Sequence, residues 1–373
     1  MKLDQSIKKE TFRILLNKSD EFSDSNFVCQ RLEKIFSYSR LEQKILGITR
    51  NSSQEIRLKE IVKNRKIQSI LAMGVYAELS RLLSENNFFF MPLKGIHLNL
   101  EFYENLEERH IRDVDLLVKQ DELNKILKLL EQNNYFFEDK ELRLSDYSFE
   151  NHRYDIPPIT NESGIRIEFH LRILHKDIDP NNTFAAQAIS TCKRIRYGNN
   201  EVSVMSYELL VLHLIYHSTI KEYFDNGLIC LLDIKKMNEK IILDHNKILT
   251  TAKNYQLFKS TSAVFSILKK RGIIEALDQK KHHIHKEKNL DDFEELLIFN
   301  IPDPFCSAFI NIILNPALIF RSLERFSKHK GHANLNRIEI FNQTFTKCIK
   351  FFVDKNFRSK IIKSHRMKNL LTD

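Results

Sequence analysis

The sequence predicts an α+β protein, a mainly helical chain built around one small mixed sheet. Three observations lead there. Phe and Ile are abundant while Gly, Pro and Trp number only 8, 7 and 0 in 373 residues, a balance that favours long helices over strand-and-turn architecture. Most of the chain repeats its apolar residues three and four apart. Against that background, Ile165-Arg166-Ile167-Glu168-Phe169-His170-Leu171-Arg172-Ile173 alternates apolar and polar residues without a break, as a strand with one buried face does. The length suits two or three packed units.

Residues 1–75 read as an N-terminal helical region, in which LEKIFSYSRLEQKILGI and the start of IRLKEIVKNRKIQSILAMGVYAELSRLLSE carry the helical period. A core follows over residues 76–205. Phe88-Phe89-Phe90-Met91-Pro92-Leu93 is short, aromatic and continuous, as expected of a buried strand that Pro92 ends or edges. Lys94-Gly95 then opens a helix through Ile96, Leu98, Leu100 and Tyr103. After the charged loop ENLEERHIR comes a strand over residues 113–118, and Asp121 is the expected N-cap of the helix ELNKILKLLEQNN. The alternating strand over residues 165–173 follows, and a shorter strand is expected over 201–205. Ser206 is placed to cap the helix YELLVLHLIYHSTI, and residues 206–373 read as a C-terminal helical region.

The formal charge of +9 comes from 58 basic and 49 acidic residues, and the basic bias lies toward the C-terminus. Such a surface suits a polyanion (a nucleotide, RNA or an anionic membrane), although a well-solvated surface is the simpler reading. The cysteines, Cys29, Cys192, Cys230, Cys306 and Cys348, are odd in number, widely spaced and without a C-x-x-C pair, which argues against a disulfide framework or a zinc ribbon and for a reducing cytoplasm. MKLDQSIKKETF has no apolar stretch of the signal-peptide kind. The longest apolar run, residues 308–320, is interrupted by Asn311, Asn315 and Pro316, so no transmembrane segment is expected.

Chemistry concentrates in the core. On a strand over residues 113–118, Asp113, Asp115 and Leu117 share one face. Two carboxylates that close repel unless a cation neutralises them, and Mg²⁺ (or Mn²⁺) is the oxygen-seeking ion such a pair would hold beside a phosphate chain. On this reasoning, asparagine at either position should relieve strain in the metal-free protein. Glu168 shares the polar face of its strand with Arg166, His170 and Arg172, so a third carboxylate can join the site from a neighbouring strand. Upstream, the Lys94-Gly95 turn offers backbone N–H groups at a helix start, with no Cβ at Gly95 to block a phosphate.

Leu93-Lys94-Gly95, then Arg109-His110-Ile111-Arg112-Asp113-Val114-Asp115-Leu116-Leu117-Val118, and later Ile167-Glu168-Phe169-His170, resemble the LKG, R-x-x-x-D-x-D-L-L-V and E-x-H blocks of a largely uncharacterised nucleotidyltransferase family of the polymerase-beta-like superfamily. The segment with His213, His217 and Asp233 is similar to that family's C-terminal portion, and the likeness spans roughly residues 60–270. The resemblance implies a polymerase-beta-like core flanked by helical regions. It makes Asp113, Asp115 and Glu168 the catalytic and metal-binding carboxylates, and it marks Gly95 as the nucleotide-binding turn. Where the wider superfamily usually has Gly-Ser at that turn, this chain has Lys94-Gly95, so Lys94 or Arg109 is expected to supply the phosphate charge, with His170 beside the nucleotide.

His213 and His217, four apart on an apolar helix, read first as histidines at the edge of a core. The Lys-rich His282-His283-Ile284-His285 cluster reads as a solvated loop, and Asp233 as either a structural ion pair or part of the cleft. Residues 309–326, apolar and then basic, read as a packed helix or a membrane-surface segment. No P-loop, nucleophile elbow, H-E-x-x-H or dinucleotide fingerprint occurs. The expectation is therefore Mg²⁺-dependent transfer of a nucleoside monophosphate from an NTP to a hydroxyl or phosphate of a small molecule, protein or RNA. The rival expectation is a non-catalytic scaffold of the same fold, such as a component of a toxin or surface-polysaccharide system.

Overall fold

The computed structural model describes residue 14 and residues 52–106, 108–139, 143–147, 156–198, 200–221 and 227–274. The helix expected over LEKIFSYSRLEQKILGI, the His282 to His285 cluster, the apolar run 308–320 and the basic segment 309–326 lie outside the described residues.

The described elements run α1 (Ser52–Glu85), β1 (Phe90–Pro92), α2 (Lys94–Glu101), β2 (Asp113–Val118), α3 (Leu123–Gln132), β3 (Phe136–Phe137), β4 (Ile159–Thr160) and β5 (Arg166–His170). They continue as α4 (Thr183–Ser190), β6 (Lys193–Tyr197), β7 (Asn200–Val204), α5 (Tyr207–Tyr216), a π-helical turn (His217–Lys221), α6 (Gly227–Lys240), α7 (His245–Asn254) and α8 (Phe258–Lys270). The sheet has the order β1-β2-β5-β4-β3, with β2 and β5 parallel at its centre and antiparallel pairs around them. β6 and β7 form a separate hairpin. This is the mixed α+β architecture expected.

Alternation decides which way each strand faces. Val114, Leu116, Val118, Ile167 and Phe169 are buried in one cluster with Leu79 and Leu83 of α1 and Ile126 and Leu127 of α3. Each such side chain contributes about 1.5–3 kcal/mol through its burial, which fixes the register of β2 against β5, because a slip of one residue would turn them outward. Leu117, on the opposite face, joins a second cluster with Leu93 and Leu98 and with Leu209, Leu210 and Leu212 of α5. The face that carries Asp113 and Asp115 is therefore the one on which α2 and α5 pack.

α1 buries Ala72, Val75, Tyr76, Leu79, Leu82 and Leu83 at helical spacing. It ends at Asn87, whose φ of 58° lets the Phe88 N–H reach the Leu83 carbonyl at 3.0 Å. Asn134, at φ 64°, ends α3 in the same way. Asp121 does not cap α3. The chain first turns through Glu122 N–H to Lys119 O, the helix begins at Leu123, and the Glu122 carboxylate instead accepts the Phe89 N–H at 2.7 Å. Ser206 does stand at the N-cap of α5, without a side-chain capping bond. The strands β3, β4 and β6 and the helix α4 were not expected from the sequence. α4 is capped by Asp179, whose carboxylate accepts the Thr183 and Phe184 N–H groups at 2.9 and 2.8 Å. No helix among the described residues is long and apolar enough to cross a membrane.

Candidate active site

The parallel register sets Asp113 beside Arg166, Asp115 beside Glu168 and Leu117 beside His170. Residues opposite each other in a ladder project to the same face, so the odd positions of β2 and the even positions of β5 form one polar strip. Ligand atoms of Asp115, Glu168 and His170 all lie within 4.8 Å of one another, close enough to share one metal ion. Two carboxylate oxygens and an imidazole nitrogen suit a hard or borderline divalent cation such as Mg²⁺ or Mn²⁺, so these residues fit the group. Asp113 is not in this trio. It stands one pleat earlier and accepts from Arg112 Nη2 at 3.0 Å.

Each carboxylate in the strip already has a cation of the chain beside it. Asp115 Oδ1 accepts from Lys94 Nζ and from His170 Nε2, both at 2.7 Å, and the Lys94 and Asp115 side chains are 14% and 4% exposed. Glu168 Oε1 lies 3.0 Å from Arg166 Nε, and its Oε2 is 3.8 Å from His170 Nε2. Burial alone would raise the Asp115 carboxyl. The Lys94 ammonium and the His170 hydrogen bond override it and hold Asp115 well below the usual carboxylate range. Lys94 is raised above its ordinary value because the Asp115 charge and hydrogen bond outweigh the effect of its own burial.

Lys94 reaches Asp115 because of where the chain turns. The Leu93 N–H bonds to the Asp115 carbonyl at 3.0 Å, which pins the end of β1 to β2. Lys94 follows at φ 43°, a left-handed conformation in which an L-residue is strained. Gly95 is buried in the first turn of α2, and the room its missing side chain leaves is taken: a Cβ there would lie 2.7 Å from Arg109 Nη1. Arg109 is occupied in turn, its Nε and Nη2 donating to the Asp233 carboxylate of α6 at 2.9 and 3.1 Å, with the Tyr103 hydroxyl donating to the same carboxylate at 2.8 Å. Asp233 is thus a structural ion-pair partner, one of the two roles open to it from sequence.

Read from sequence alone, a side chain at Gly95, as in Gly95→Val, blocks phosphates and spares the core. With Arg109 stacked over the glycine, the expected result is different: valine displaces the guanidinium from Asp233, and the melting temperature falls together with nucleotide affinity. Thermal melts and NTP titration of the variant check this. An unchanged melting temperature would mean that Arg109 moves aside freely.

On the α5 side, His213 is buried and its Nδ1 has no hydrogen-bond partner, and its ring stands edge-on to that of His217 with centroids 6.4 Å apart. Burial first, then the Lys94 ammonium, depresses both imidazoles well below their ordinary value, so both are neutral at pH 7. The π-helical turn begins at His217, a departure from α-helix that is common where a side chain is re-aimed at a functional site. The sequence had only a spacing of four to offer here. The sequence places His170 on the same strand face as Glu168 but beside the nucleotide rather than among the metal donors, and the ion pair of Lys94 with Asp115 has no local signature.

No curated protein matches the chain. The profile of a family described as uncharacterised nucleotidyltransferase matches residues 27–272, which takes in every described element of the sheet, the polar strip on β2 and β5, and α5 to α8. With the match covering well over half of its length, the chain belongs to this family of uncharacterised nucleotidyltransferases.

Proposed function

We propose that this chain transfers a nucleoside monophosphate from an NTP to a hydroxyl or phosphate oxygen of an acceptor, using Mg²⁺ or Mn²⁺. The observation that carries the reading is the convergence of Asp115, Glu168 and His170 on one sheet face beside the Lys94-Gly95 turn, in a chain of this family. A divalent ion bound there supplies positive charge to the reacting phosphate and eases ionisation of the acceptor. The acceptor oxygen forms a bond to the α-phosphorus, the bond from that phosphorus to the bridging oxygen breaks, and pyrophosphate leaves. Asp115 and Glu168 would hold the metal, with Asp113 one pleat away as a further carboxylate, and Glu168, the most exposed member of the trio, takes the proton of a hydroxyl acceptor. His170 orients Asp115 through its 2.7 Å hydrogen bond. The Lys94 ammonium and the N–H groups of the first turn of α2 receive the phosphates, while Arg109 acts on them indirectly by bracing Gly95.

In this reading residues 76–205 form the catalytic unit, and the helices from α5 onward wall the cleft and select the acceptor, whether small molecule, protein or RNA. The free cysteines Cys192 and Cys230 accord with work in the cytoplasm, where NTPs are at hand. One observation favours the second reading, a non-catalytic scaffold: the carboxylates are already neutralised by the chain's own cations. Incubation with each α-labelled NTP, Mg²⁺ or Mn²⁺ and cell extract separates the two. We expect label on an acceptor with the wild type and a loss of about 10²-fold or more with Glu168→Gln, the size of a lost general base. No labelling with any NTP, or equal labelling by the variant, leaves the scaffold.

A further inference from the structure

We infer that Lys94 is a resident counter-ion at Asp115 which a metal ion must displace, so that metal and nucleotide bind this protein together rather than independently. The inference rests on the proposed metal-dependent reading of the site and adds to it an order in which the site fills. Lys94 Nζ and His170 Nε2 share a single oxygen, Asp115 Oδ1, each at 2.7 Å, and that oxygen belongs to the trio fit to hold a metal. An ammonium at hydrogen-bond distance and a divalent cation on the same carboxylate repel each other strongly where the surroundings are poorly solvated. Asp115 is buried, so water does little to screen them.

The rest of the strip reinforces this. Asp113 is paired with Arg112 and Glu168 with Arg166, so each of the three carboxylates has a cation of the chain beside it, and a divalent ion arriving alone meets a reduced net attraction. An NTP changes the balance, because its phosphates provide a new partner for the ammonium that the metal evicts. The strained backbone of Lys94 at φ 43° aims a long, flexible cation from a fixed turn, so its head can pass from the carboxylate to a phosphate while the backbone stays in place. Whatever factor the nucleotide adds to metal affinity, the metal must add to nucleotide affinity.

The test is direct binding of Mn²⁺, read as free Mn²⁺ by electron paramagnetic resonance against a protein-free control that corrects for Mn²⁺ held by the nucleotide, with and without a non-hydrolysable NTP analogue, for the wild type, Lys94→Met and Lys94→Arg. Melting curves of all three establish that they are folded. The wild type should bind Mn²⁺ weakly alone and about tenfold or more tightly with the analogue, an energetic coupling of ordinary allosteric size. Lys94→Met should bind Mn²⁺ alone at least about tenfold more tightly than the wild type, with most of the nucleotide enhancement gone. Lys94→Arg, which keeps the charge, should stay with the wild type. If Lys94→Met binds Mn²⁺ alone no better than the wild type, the counter-ion role is wrong and the metal site stands. If none of the three proteins binds Mn²⁺ even with the analogue, the metal-dependent reading falls and takes this inference with it.

Discussion

Asp115→Asn is expected to abolish nucleotidyl transfer and also to lower the melting temperature of the metal-free protein. The first effect follows from ligand chemistry, since a neutral amide is a poor partner for a divalent cation and the trio loses its central member. The second follows from Lys94. Its ammonium has given up most of its water to sit 2.7 Å from Asp115, and the amide that replaces the carboxylate leaves that charge largely unanswered. Breaking one side of a buried pair costs about 3–5 kcal/mol, and the 14% exposure of Lys94 argues for the lower end of that range. Asp113→Asn is the contrasting case. Its partner Arg112 is 54% exposed, so the stability change should stay within about 1 kcal/mol, of either sign. Melting without metal, paired with label transfer in its presence, reads both effects. A metal-free Asp115→Asn protein that melts at or above the wild-type temperature would show that Lys94 does not depend on this carboxylate.

That expectation reverses the one drawn from sequence, where two unscreened aspartates on a strand face make either asparagine stabilising. The reversal has a simple origin. Alternation within a strand reports which side chains share a face, and on that point Asp113, Asp115, Glu168 and His170 were legible. It does not report what arrives from elsewhere to face them. Lys94 lies 21 positions before Asp115 and comes into place only through the turn between β1 and α2. Strand length matters similarly: β5 has enough residues to display a period of two, while β3 and β4 have two residues each and carry no period at all. β6, in which Lys193, Arg194 and Arg196 outnumber its apolar residues, conceals its strand character because the hairpin is exposed on one side. The sequence offers Arg109, beside Lys94, as a source of phosphate charge because the turn at Lys94-Gly95 lacks the superfamily's Gly-Ser, and nothing local points to another partner. The partner of Arg109 in the fold is 124 residues away.

The clamp around that partner leads to the second large effect: Asp233→Ala should destabilise the protein by about 3–5 kcal/mol, and replacing both partners, as Arg109→Met with Asp233→Leu, should restore much of the loss. Asp233 is buried and accepts from three donors, Arg109 Nε, Arg109 Nη2 and the Tyr103 hydroxyl. Alanine leaves all three without an acceptor, and the guanidinium, 12% exposed, keeps its charge in a place that water hardly reaches. Burial pushes the Asp233 carboxyl above its ordinary value, while the Asp233 charge raises Arg109 above its own despite its burial, so two desolvated charges depend on each other. A pair in that condition adds little stability as a whole and is costly to break from one side, which is why removing both charges should help. Urea unfolding of the wild type, Arg109→Met, Asp233→Leu and the double variant measures the coupling, with Asp233→Ala alongside. The same variants report on the site, since Arg109 also fills the space over Gly95 and so steadies the turn that presents Lys94. Transfer by the double variant should therefore remain impaired after its stability has recovered, with a raised KM for NTP. Full recovery of both would confine the clamp to holding α6 against the core, and a single variant as stable as the wild type would show that Asp233 does not hold Arg109 at all.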